Sequence, residues 1–217
     1  LALNEYCCML ACHYAGIPVP DFYLSDDESL FIMKRFDLRD DGSTLGFEDM
    51  CVLQAKQRED KYTGSYEQVA KTIKTFVSPE NKQASLEQFF KMLVISNVMQ
   101  NGDAHLKNFG LVYESVTSVR LAPAYDIVCT TAYINLDIPA LTLAGSKKWH
   151  SRTQLERFGV QACDLTASKA NVLYEECRQA LKLLLPYLTT RLAQSPNSAQ
   201  RMVLEHLQIL IANETGA

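Results

Sequence analysis

Between residues 101 and 108 the chain reads Asn-Gly-Asp-Ala-His-Leu-Lys-Asn, six of eight polar or glycine, directly after a strongly apolar stretch. Asp103 and Asn108 stand five residues apart. A carboxylate at the first position can face an attacking hydroxyl while an amide oxygen at the second turns back to hold a divalent cation, a division of labour suited to phosphoryl transfer. His105 and Lys107 lie between them. A lysine this close can meet a transferred phosphate as a point charge, and the imidazole can hold the loop through backbone hydrogen bonds. A second acid, Asp126, closes the run Leu121-Ala122-Pro123-Ala124-Tyr125-Asp126. Two aspartates and an asparagine offer only oxygen ligands, which suit magnesium rather than zinc or copper. The same eight residues also read as a polar turn ending a helix, with Gly102 as its cap, and the spacing alone leaves both readings open.

The elements that must position these residues follow from periodicity. Ser85-Leu86-Glu87-Gln88 has the form of a capping box, and the helix it predicts runs to about Gln100. That helix is apolar almost all round, so it is expected to be the buried mast of the fold. Phe109–Tyr113 and Val119–Leu121 read as a hairpin separating Asn108 from Asp126. Upstream, a helix from Leu3 to about Tyr14 is stopped by Gly16 and Pro18. Strands are expected at Phe22–Leu24 and Leu30–Phe36, joined across Ser25–Ser29, and a loop from Arg39 to Gly46. Short helices are expected at Phe47–Ala55 and Tyr66–Phe76, the latter ending near Pro79. Two further helices, about Thr166–Ala193 with a kink at Pro186 and Ser198–Asn213, form the tail; Leu181, Leu184, Leu185 and Leu188 are its core face. The fold class is mainly α with a small β portion, α+β.

At 217 residues the chain can bury one good core with at most a small appendage. Its 47% hydrophobic and 21% charged composition is that of a folded globular protein. A net charge of −4 excludes a generally basic nucleic-acid binder, and direct nucleic-acid binding is not expected. No apolar run reaches the roughly 18 residues of a membrane span and no cleavable leader is visible, so a cytoplasmic protein is expected. The seven cysteines are odd in number and lack any C-x-x-C pair, a poor disulfide framework and a poor zinc site. Cys8 and Cys12 are expected as small apolar residues on a core-facing helix. Trp149 with Lys147, Lys148, His150 and Arg152 forms a basic-aromatic cluster that reads as a solvated loop or as a contact for a partner.

The segments Asn101–Phe109 and Leu121–Asp126 together closely resemble the signature of HipA-like serine/threonine kinases, bacterial toxin kinases of type II toxin–antitoxin modules. Asn4-Glu5-Tyr6, Gly16–Pro20, Arg35-Phe36-Asp37, Glu48–Cys51 and Lys61-Tyr62 fit the same family in the same order, and the resemblance thins after about residue 160. It implies a protein-kinase-like fold, with residues 1–38 as a remnant of the small lobe and 39–217 as the helical C-lobe. It further implies ATP and Mg2+ as cofactors, Asp103 as catalytic base, and Asn108 and Asp126 as metal ligands. His105 would neighbour the transferred phosphate, backbone groups of Lys34 and Phe36 would pair with the adenine edge, and Tyr125 would sit beside the nucleotide. Lys34 stands where the family commonly has glutamate, and Ile127-Val128 replaces the Phe-Gly that follows this aspartate in eukaryotic kinases. A small DNA-binding antitoxin is the implied partner, and an aminoacyl-tRNA synthetase is one precedent for the protein substrate. The glycine-rich loop and strand lysine of the family lie upstream of its Asn-Glu-Tyr helix, where this chain begins without an initiator methionine. The expectation is a later portion of a longer protein, transferring little phosphate alone. The alternatives are a kinase-fold module that docks an antitoxin without catalysis and a metal-dependent phosphohydrolase.

Overall fold

The structure, a computed structural model, describes residues 1–195 and 197–216. Helix α1 (Ala2–Tyr14) buries Leu3, Asn4, Cys7, Cys8, Ala11 and Cys12. It ends as its sequence predicts. Gly16 takes φ +68°, and the amides of Gly16 and Ile17 return to the carbonyls of His13 and Cys12, a Schellman closure that only a residue without Cβ enters cheaply. Strands β1 (Phe22–Leu24) and β2 (Phe31–Met33) pair antiparallel, Phe22 opposite Met33. The second is shorter than expected at both ends: Leu30 lies outside it, and the chain beyond Met33 runs into a turn at Phe36–Asp37.

The segment expected as one short helix from Phe47 divides in two. Gly46–Asp49 is strand β3, and only Met50–Leu53 forms α2, with Asp49 as its N-cap. Strand β3 pairs antiparallel with β4 (Gly110–Tyr113), and β4 with β5 (Arg120–Leu121), so the expected hairpin gains a third strand at its edge. Four residues carry too little alternation to reveal such a strand. Helix α3 (Tyr66–Phe76) opens on a Ser65–Gln68 capping box.

Helix α4 (Pro79–Val98) begins six residues before the expected capping box. Proline at its first turn fixes φ and costs no helical hydrogen bond there. Ser85 is an interior residue whose Oγ accepts from the Leu121 amide at 3.1 Å, tying the helix to β5. Its expected role as mast holds: Leu86, Phe89, Phe90, Val94 and Ile95 are all buried. Two 3₁₀ turns, Leu106–Asn108 and Thr130–Ala132, flank the hairpin region.

Helix α5 (Arg152–Ala162) occupies part of the sequence read as a solvated basic-aromatic loop. Arg152 is its first residue and pairs with Glu156 and Glu175, while Gln154 accepts from the Ser151 amide at 2.9 Å. Helix α6 (Ala167–Gln194) is continuous across Pro186, and α7 (Ser198–Thr215) packs against it. Helices α1, α4, α6 and α7 share one hydrophobic core. All seven cysteines are free and buried, including Cys8 and Cys12 as expected. Among the described residues no helix is long and apolar enough to cross a membrane.

Candidate active site

The mast ends in a turn whose geometry is held from three sides. Gln100 adopts φ +50°, and its carbonyl accepts from the Thr130 hydroxyl at 3.1 Å, while that hydroxyl accepts from the Gly102 amide at 2.8 Å. A Cβ at Gly102 would meet the Asp137 carboxylate and the Thr130 hydroxyl, so a larger residue there would have to displace those side chains. Asn101, 1% exposed, accepts the Asp103 amide on its Oδ1 at 3.1 Å. The carbonyl of Lys61 then takes the Leu106 amide at 3.0 Å. Asn101–Asn108 is therefore a tethered loop rather than a plain helix stop.

Asp103 is half-buried, and the phenol of Tyr62 donates to its Oδ1 at 2.6 Å. Its Oδ2 enters no hydrogen bond among the described residues. That contact pushes the Tyr62 phenol up to about 12, with burial and the charge of Asp103 adding to it. His105 is buried, its Nε2 4.0 Å from Asp103 Oδ1 and its ring edge-on to Tyr62 at 5.1 Å. Burial lowers its pKa from 6.5, with the charge of Asp103 opposing, so the imidazole is neutral at neutral pH.

Asn108 is 1% exposed, and its Nδ2 donates to Asp126 Oδ2 at 2.5 Å and to the Asp126 carbonyl at 3.3 Å. Its Oδ1 is buried without a partner. Asp126 sits in the left-handed region at φ +55°, a conformation that aspartate tolerates better than bulkier residues. Flanking tethers hold it there. The Ala124 amide donates to the Pro18 carbonyl at 2.8 Å, and Asn4, 1% exposed, clasps Cys129 by giving Nδ2 to its carbonyl and taking its amide on Oδ1. The charges of Asp103 and Asp126 both act on Tyr62 and on His105, Asp126 more weakly than Asp103.

Lys107 leans to the other side. Its ammonium pairs with Asp49, the residue capping α2, and its carbonyl accepts from the Tyr125 hydroxyl at 2.8 Å. Tyr125 stacks on Phe36 at 5.4 Å, and Phe47 meets both rings edge-on. The three aromatics join the 34–37 segment to the region of the 101–108 loop. Lys34 is exposed, its ammonium paired with Asp40 at 2.7 Å and its amide donating to the Asp21 carbonyl. Its carbonyl and the Phe36 amide enter no hydrogen bond among the described residues. Arg35 forks onto Asp37 with bonds of 3.0 and 2.6 Å, bracing the turn.

Four side chains at this site carried no role in the sequence reading, although their segments were noted: Asn4, Glu5, Asp49 and Tyr62. Glu5 is driven up to about 7 by burial first and by the charge of Asp126 second. Among the described residues no cluster of three or more His, Cys, Asp or Glu forms a metal cage. Asn108 and Asp126 are the paired oxygen-bearing side chains, and turning the Asn108 amide over would set its orphaned Oδ1 beside Asp126 for a hard cation. Magnesium, which keeps few protein ligands and completes its octahedron with water and phosphate, matches so sparse a set.

Comparison with known proteins gives consistent matches. The model of the HipA-like C-terminal domain matches residues 1–184. The chain is 29% identical over 161 residues to Y4dM of Sinorhizobium fredii, named as a kinase by inference, covering 67% of this chain and 38% of that one. It is 30% identical over 149 residues to a similarly named kinase of Haemophilus influenzae, covering 61% and 42%. It therefore spans about two fifths of the length of these curated relatives. Among solved structures, a chain of the Shewanella oneidensis complex of HipA, HipB and operator DNA superposes with a TM-score of 0.74 at 15% identity, covering 99% of this chain and 55% of that one. The Helicobacter pylori proinflammatory kinase CtkA gives 0.62 at 15% identity, covering 99% and 80%. The predominantly helical fold with its small β portion is the fold of these structures.

Proposed function

The chain belongs to the HipA-like C-terminal domain family, and on that premise we propose that it carries the catalytic half of an ATP- and Mg2+-dependent protein serine/threonine kinase. The observation that carries the reading is the Asn108–Asp126 pair at 2.5 Å, with the amide oxygen unpartnered, beside an Asp103 whose Oδ2 is open. Asp103 accepts the proton of the acceptor hydroxyl as that oxygen bonds to phosphorus and the bond to the leaving diphosphate breaks. His105, neutral and buried, lies beside the base, where it can donate a hydrogen bond without adding charge. Lys107 steadies the wall through Asp49 and can swing to the phosphate as a cation.

Asn108 and Asp126 would hold the magnesium ion, which when bound offsets charge on the phosphates. The Lys34 carbonyl and the Phe36 amide would meet the adenine edge, and Tyr125, braced by Phe36 and Phe47, would wall the nucleotide. Residues 1–38 serve this reading as the small-lobe remnant with its hinge, and 39–217 as the C-lobe. A small DNA-binding antitoxin as partner is supported by the Shewanella complex that joins HipA with HipB. The substrate is a cytoplasmic protein, with an aminoacyl-tRNA synthetase as the family precedent.

The test uses the whole protein. Asp103→Asn is expected to cut transfer of labelled phosphate from ATP by about 10²-fold or more while Mg-ATP still raises the melting temperature. Asp126→Asn is expected to lose both. Undiminished transfer by Asp103→Asn would overturn the assignment of the base. A wild type that neither transfers phosphate nor gains stability from Mg-ATP would leave the docking-module reading instead.

A further inference from the structure

Next to the 101–108 loop, a small chamber lies between α4 and the segment entering α5. It has about 10 Å³ open to the centre of a water-sized sphere, close to the minimum needed for one water molecule. Three of its lining residues each carry a buried polar atom without a partner in the protein: Ser96 Oγ, Asn101 Nδ2 and His150 Nε2. Ser96 and Asn101 are 2% and 1% exposed, so neither can turn to bulk solvent. Three orphans around one water-sized space is not what packing produces by chance, because buried polar groups are nearly always paired.

The geometry points to a binding site for a single internal water, held by Ser96, Asn101 and His150, with His150 as a positioning residue for the catalytic loop. The hydrogen-bond inventory balances. Asn101 spends its Oδ1 on the Asp103 amide, which turns its NH2 group into the chamber and disfavours a metal cation there. A water oxygen accepts from Asn101 Nδ2 and from the Ser96 hydroxyl, and one water hydrogen goes to His150 Nε2. Three bonds are the usual complement of a buried water. The imidazole is delivered independently of its own ring: Asn97 takes the His150 amide at 2.8 Å and gives its Nδ2 to the His150 carbonyl at 2.9 Å. Replacing the ring therefore leaves the backbone tethered. Part of the cluster read from sequence as a solvated loop or partner contact, Trp149 and His150, thus lines an inner chamber, while Lys147 reaches the Tyr62 carbonyl at 3.4 Å.

The site does not depend on the kinase reading, and its tests need no activity. A high-resolution crystal structure of the protein should contain one ordered water within hydrogen-bond distance of all three atoms. A dry chamber, or direct pairing among the three side chains, overturns the proposal. In solution, Ser96→Ala and His150→Leu should each speed hydrogen exchange at the Asp103 amide, with amides in mid-α4 such as that of Phe90 as the internal control. The double variant should accelerate it by less than the product of the two single effects, because both remove the same water. Strictly multiplicative effects, or equal acceleration at Asp103 and Phe90, would mean that no shared water positions the loop.

Discussion

A phenol on one carboxylate oxygen and an open position on the other give Asp103 a defined orientation. Tyr62 holds Oδ1 and leaves Oδ2 open, so on the proposed reading the base would be aimed before substrate arrives. Tyr62→Phe removes one charge-assisted hydrogen bond and keeps the ring against His105. We expect kcat for phosphate transfer by the whole protein to fall about tenfold with KM for ATP unchanged, as loss of a single orienting bond predicts. Steady-state kinetics check this, and an unchanged kcat would mean that the loop alone aims the base. Asp103, Asn108 and Asp126 stand out in the sequence as candidates because residue type and local spacing are visible there. Tyr62 and Asp49 do not. Their partners lie 41 and 58 residues away, and nothing in a short window indicates that the chain returns there.

Among the elements, the most consequential joint is between the first turn of α1 and the segment after Asp126. Asn4 satisfies both the amide and the carbonyl of buried Cys129, so α1 is tied directly to the segment that follows Asp126. Asn4→Ala leaves two buried backbone groups unpaired, at roughly 1–3 kcal/mol each, and should lower unfolding free energy by about 2–6 kcal/mol in urea titrations. Asn4→Asp retains the acceptor but sets a carboxylate against the Cys129 carbonyl, and should recover only part of the loss. Long elements with a strong period, such as α3, α6 and α7, were legible nearly to the residue. The failures share a cause. Strand β3 is fixed by pairing with β4, a partner distant in sequence, and the apparent capping box at Ser85 lost to Pro79 because the Ser85 hydroxyl is used by β5 instead.

For the molecule as a whole, pH acts through two imidazoles, buried His105 and half-buried His206. Burial lowers the pKa of both His105 and His206 from 6.5, and His206 Nε2 lies 2.9 Å from the Thr131 hydroxyl, linking α7 to the turn that braces Gly102. The unfolded chain protonates first as pH falls, so stability is full above about 6.5 and is lost below it. His206→Gln keeps a polar group for Thr131 and should flatten the decline in urea midpoint between about pH 7 and about pH 5.5, leaving the share due to His105. An equally steep decline would assign the loss to other groups. The seven thiols are all interior, and burial raises their pKa values. Each becomes a silent clock. An alkylating dye added to the native protein can mark a sulfur only when the surrounding interior parts, so the pace of labelling counts openings rather than ranking nucleophiles.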